Sequence, residues 1–121
     1  MPSEPTTPPV EIRFTPEFKR NLRALSKRYH YIRSDIEPIL EKLQSGIFIG
    51  DQIPRTGFTL YKVRIRNRDA QRGKSGGYRL IYYLQTSHSI TLITLYSKSE
   101  QSDISVTELR RIIREFEENE A

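Results

Sequence analysis

The chain contains no cysteine and only two histidines, His30 and His88. The first absence excludes disulfides and thiolate metal sites, and the two histidines have no companion at metal-ligand spacing, so no metal or other cofactor is expected. Long apolar runs are missing too: none approaches the roughly 20 residues that span a membrane, and no membrane partner is expected. The first residues, MPSEPTTPPV, have neither the basic start nor the apolar stretch of a secretory signal. A cytoplasmic protein is the expectation these absences leave. With 121 residues, 36% hydrophobic and 29% charged, the chain has the size and composition of one small globular domain.

Acids are scarce where bases are dense. Residues 1 to 54 nearly balance, residues 100 to 121 are acidic, and the net charge of +5 comes from the middle. From Arg55 to Arg79 there are eight cations (Arg55, Lys62, Arg64, Arg66, Arg68, Arg72, Lys74, Arg79) against the single acid Asp69. Such a field suits a polyanion, although a charge run by itself equally describes a solvated face.

Residues 1 to 9, rich in proline and polar side chains, read as a flexible arm, and residues 10 to 121 as the folded domain. VEIRF alternates as a half-buried strand, and Thr15-Pro16 then supplies a helix cap with proline at the first helical position. Phe18, Leu22, Leu25 and Tyr29 share one helical face. Ser34 with Glu37 forms a capping box for a second helix, with Pro38 in its first turn, a stripe of Ile36, Ile39, Leu40 and Leu43, and Gly46 at its end. After the loop IFIGDQIPRTGF the period changes to two: Leu60, Lys62, Arg64 and Arg66 face one way, Tyr61, Val63 and Ile65 the other. GYRLIYYLQ and SITLITLYSK, apolar on both faces, read as central strands joined by a turn at Thr86 to Ser89, and a capping box of Ser105 and Glu108 opens a last helix. The expected fold class is therefore α+β: an N-terminal strand, an α-helical hairpin, a three-stranded antiparallel meander and a C-terminal helix.

Lys62, Arg64 and Arg66 at period two lie about 7 Å apart, close to the spacing of phosphates along one nucleic-acid strand. Tyr61, Tyr78, Tyr82, Tyr83 and Tyr96 lie among the strands beside them, as aromatic faces for stacked bases or as core. By alternation Tyr78 and Tyr82 share one face, and Arg79, Ile81 and Tyr83 the other. Gly73, Gly76 and Gly77 allow close backbone approach to a ligand, or plain turn geometry.

In YKVRIRN, GGYRLIYYL and ITLITLYSKSE the chain resembles the RelE/ParE superfamily of bacterial toxin-antitoxin systems, over about residues 10 to 117. The resemblance implies a toxin with a RelE-like, microbial-ribonuclease-type sheet that cuts messenger RNA on the ribosome and is neutralised by an antitoxin in a hetero-oligomer. ParE-type relatives share the fold and bind DNA gyrase instead, so fold alone leaves both targets open. Lys62 and Arg64 match the paired basic residues of RelE-type toxins, Arg79 the arginine of the glycine-led strand, and Lys98 the basic residue after the last strand. Arg66, Arg68, Arg72, Lys74, Tyr83 and Tyr96 are the expected RNA-binding set. The tyrosine that such toxins carry near the start of the last helix has no counterpart, since Ile104 and Ser105 stand there.

Cleavage by a 2′-hydroxyl needs a base, cations for the charge on phosphorus and an acid for the leaving oxygen. Arginine does not give up its proton in proteins, which leaves Lys62, its ammonium disfavoured by flanking cations, as base or as plain neutraliser of phosphate. Lys98 is the expected acid and Arg79 the phosphate clamp. Glu100 and Asp103 follow Lys98 closely enough to orient it, or serve as capping or solvated acids.

Overall fold

The computed structural model describes residues 9 to 68 and 76 to 120. Most of the expected arm, and both Arg72 and Lys74, lie outside the described residues. Eight elements follow in order: β1 (Glu11–Phe14), α1 (Pro16–Ser26), α2 (Ile32–Gln44), β2 (Asp51–Gln52), β3 (Leu60–Ile65), β4 (Tyr78–Thr86), β5 (Ser89–Ser97) and α3 (Val106–Glu120). One five-stranded sheet runs β1-β5-β4-β3-β2, antiparallel except where β1 lies parallel to β5. The α+β architecture and the two central strands, β4 and β5, are as expected. No helix among the described residues is long and apolar enough to cross a membrane.

Both faces of the sheet are covered, by different helices. Phe18, Leu25, Ile32, Ile36 and Leu43 of the hairpin pack on Val63, Ile65, Tyr78, Leu80 and Tyr82. On the other face Leu109, Ile112 and Ile113 of α3 pack on Leu60, Ile81, Ile93 and Tyr96. The predicted sharing of faces along β4 therefore holds, with Tyr78 and Tyr82 toward the hairpin and Ile81 toward α3.

The caps at Thr15 and Ser105 form as expected: Thr15 Oγ1 accepts from the Phe18 N–H at 2.9 Å, and Ser105 Oγ from the Glu108 N–H at 3.1 Å. The box at Ser34 does not. Helix α2 starts at Ile32, and the Ser34 hydroxyl inside it donates to the Tyr31 carbonyl at 3.0 Å. The apolar stripe decides this, because Ile32 is fully buried, and burying an isoleucine is worth about 1.5–3 kcal/mol against about 1 for a cap. Pro38 consequently sits inside the helix, on its exposed side, not in the first turn. Gly46, in the left-handed region at φ 88°, ends α2, with the Ile47 N–H bonded to the Lys42 carbonyl at 2.9 Å. A second difference is β2, within the stretch read as loop. Two residues are too few to carry a period, but they pair with Tyr61 and Lys62 of β3.

Strand β5 pairs with β1 only as far as Leu92. Beyond it α1 takes over the open edge: the Thr15 hydroxyl donates to the Ile93 carbonyl at 2.6 Å, and Asn21 Oδ1 accepts from the Leu95 N–H at 3.0 Å and the Thr94 hydroxyl at 2.9 Å. At the same place the β4–β5 register shifts, Ile81 facing Thr94 and Tyr82 facing Leu92, so that Ile93 is an extra residue. This bulge changes the phase of the strand. Ile90 and Leu92 point to the hairpin core, whereas Tyr96, on their side by simple alternation, packs toward α3.

Candidate phosphate-binding cleft

Four cations expected at the site come from two strands and the turn after a third. Lys62 and Arg64 project from β3, Arg79 from the start of β4, and Lys98 follows β5. They line one cleft of about 300 Å³, together with Asp51, Gln52, Ile53 and Pro54 from β2 and the loop after it. The pairing of β3 with β4 sets Arg64 directly opposite Arg79. Like charges in facing positions cost stability unless an anion or nearby oxygens compensate them.

Arg79 is compensated from within. The residue is 9% exposed, and its Nη1 donates to the carbonyls of Gly76 at 2.5 Å and Tyr78 at 3.2 Å. Gly76 and Gly77, at φ 73° and 74°, curl the chain so that a carbonyl meets the side chain three residues on. Next to them the Lys98 N–H bonds to the Gly77 carbonyl at 2.9 Å, which ties the end of β5 to the glycine turn. The Arg64 side chain is exposed and makes no hydrogen bond or ion pair among the described residues.

Lys62 and Lys98 are both engaged by the segment between β5 and α3. Lys98 Nζ donates to the Ser102 carbonyl at 2.6 Å, and Lys62 Nζ pairs with Asp103 Oδ1 at 3.0 Å. An anion therefore stands against Lys62, where the sequence suggested cations alone. Asp103 does not orient Lys98, and Glu100 is turned away to Arg28 and Tyr29 of the hairpin. The hydrogen bond from Lys62 is the main cause holding the Asp103 carboxyl below the usual carboxylate range, helped by the Ile104 N–H. The Tyr96 hydroxyl also reaches Asp103, at 3.3 Å, and burial first, then that carboxylate, pushes it up to about 12.

The remaining expected contacts scatter. Arg66 lies past the end of β3, exposed, and does not line the cleft. Arg68 turns to α2, where Nε meets Asp35 at 2.5 Å, Nη2 donates to Ser34, and the guanidinium lies over the Tyr31 ring. Tyr83 sits far along β4, its ring edge to face with Phe58 at 5.3 Å. His30 and His88 are exposed in the α1–α2 connection and in the β4–β5 turn, away from the cleft. Ile104 packs against the α3-side core and Ser105 is a cap, so the tyrosine facing the segment before α3 is Tyr96 of β5. Sequence reasoning missed the cleft's other wall, Asp51 to Pro54, because a two-residue strand carries no signal of its own.

A sheet with helices on both faces and a cleft of four converging cations defines a small α+β protein with a concentrated positive field on one side. The chain matches the family model of the RelE toxin of the RelE/RelB toxin-antitoxin system over residues 19 to 117. It belongs to the RelE toxin family and is the toxin of a toxin-antitoxin system.

Proposed function

We propose that this toxin is a metal-independent endoribonuclease that cuts messenger RNA on the ribosome and thereby stops translation. The observation that carries the reading is the convergence of Lys62, Arg64, Arg79 and Lys98 on one cleft. Arg79, anchored by its own turn, clamps the scissile phosphate, and Arg64 stabilises the charge that builds on it. Lys62, its ammonium held at Asp103, neutralises phosphate in the ground state and the transition state. Lys98 gives the leaving 5′-oxygen its proton. Arg66, exposed just past the end of β3, extends the contact with RNA, whereas Tyr96 is buried and reaches the site only through Asp103. The cognate antitoxin silences the toxin by laying an acidic segment over the same cations, in a toxin-antitoxin hetero-oligomer.

The test is cleavage of a reporter message on translating ribosomes. The wild type cuts it, and the Lys62→Ala, Arg79→Ala double variant is slower by about a hundredfold or more. A message left equally intact by both ends the enzyme reading. Ile104 and Ser105 at the position of the missing tyrosine favour a second reading, a toxin that only binds its target, such as DNA gyrase. Growth arrest with unchanged DNA supercoiling removes gyrase.

A further inference from the structure

In Asp103 one carboxylate oxygen does all the anchoring. Oδ1 accepts from the Lys62 ammonium at 3.0 Å, the Ile104 N–H at 2.8 Å and the Tyr96 hydroxyl at 3.3 Å. Oδ2 has no hydrogen-bond partner among the described residues, and the side chain is 64% exposed. The carboxylate is thus held in direction through one oxygen and open through the other, beside the cleft that Lys62 lines. A protonated lysine has three donors and no acceptor, so while Lys62 pairs with Asp103 it cannot take up a proton. The free oxygen of Asp103 is therefore an open carboxylate acceptor beside Lys62, one of the four cations of the cleft.

We infer that Asp103 is the base that takes the proton of the attacking 2′-hydroxyl, with Lys62 and Tyr96 as the positioning residues that hold it. This rests on the ribonuclease reading of the cleft. The 2′-hydroxyl proton passes to Oδ2 as the 2′-oxygen bonds to the adjacent phosphorus. The bond from phosphorus to the 5′-oxygen breaks, and that oxygen takes a proton from the Lys98 ammonium. The products are a 2′,3′-cyclic phosphate and a 5′-hydroxyl, after which Asp103 loses its proton to water and Lys98 regains one. Such a base differs from a lysine in its pH signature. The groups facing Asp103 are Lys62 from β3, Tyr96 from β5 and, acting on Tyr96, Arg79 from β4, with Lys98 at the start of its own segment. Lys62 and the Ile104 N–H hold the carboxyl below its ordinary value, so it stays ionised throughout the neutral range.

The experiment is single-turnover cleavage on purified ribosomes carrying a defined message, between about pH 6 and 8. The expected wild-type rate is level across that range. A rate rising about tenfold per pH unit assigns the base to a lysine and overturns the inference. Asp103→Asn should lower the rate about a hundredfold or more while ribosome binding changes less than about threefold. Cleavage by Asp103→Asn at the wild-type rate overturns the role of Asp103 and leaves the ribonuclease reading standing. A wild type that cuts nothing overturns both. The pH profile needs no variant, so it decides even if the substituted protein folds poorly.

Discussion

Gly77 has no room for a side chain. At φ 74° an added Cβ would lie 2.2 Å from the carbonyl oxygen of Ile65, whereas at Gly76, with φ 73°, it would meet only the flexible Lys98 side chain, at 3.1 Å. Both substitutions incur left-handed strain, but only the first also collides with the backbone of β3. Gly77→Ala should therefore cost at least about 2 kcal/mol, lowering Tm by roughly 8 °C, and Gly76→Ala about 1 kcal/mol. Thermal melts followed by circular dichroism compare them; equal losses would mean that the Ile65 contact is not what demands glycine. The two glycines were conspicuous in the sequence, and Arg79 was recognisable as a site residue. That its guanidinium closes on the carbonyls of its own turn was not, because that contact depends on two φ angles that glycine permits without requiring.

At the scale of elements, one threonine holds a cap and a bulge together. Thr15 is fully buried, accepts from the Phe18 N–H, and donates to Ile93, the residue that shifts the phase of β5. Thr15→Ala removes the cap and leaves the Ile93 carbonyl without this donor, at a cost of about 2–3 kcal/mol, while Thr15→Ser keeps both hydrogen bonds and should recover at least half of the loss. Urea unfolding of the two variants measures this. Equal destabilisation by serine would move the weight to the lost methyl group. The cap was legible from Thr15-Pro16, a local pattern. The bulge was not: SITLITLYS, apolar on both faces, reads as a central strand, and nothing within it says where an extra residue enters. That depends on where β1 stops and α1 meets the edge of β5. The same holds for α2, whose start follows the burial of Ile32 more than the capping chemistry of Ser34.

The whole molecule is one sheet shared by two cores. Leu80 and Leu95 face the hairpin, and Ile93 and Ile113 belong to the core under α3. Strands β4 and β5 contribute to both, so neither core can melt without unpairing strands of the other. Leu80→Ala and Ile113→Ala should each cost about 2–5 kcal/mol, and each variant should unfold in one transition by far-ultraviolet and tyrosine signals alike. An early separate transition in Ile113→Ala would show that α3 is an independent unit. By itself, the sequence determined every element type but β2, the alternation that puts Lys62 and Arg64 on one face of their strand and Arg79 with Ile81 on one face of the next, and the excess of positive charge in the middle, since periodicity, capping and composition are properties of neighbouring residues. Only the tertiary structure decided that Lys98 joins those three, that Arg68 leaves them for Asp35, and that Tyr96 and Asp103 meet Lys62. Those meetings depend on strand order, on a one-residue bulge and on the path of the segment before α3, which bring together groups as far as 41 residues apart that no local pattern connects.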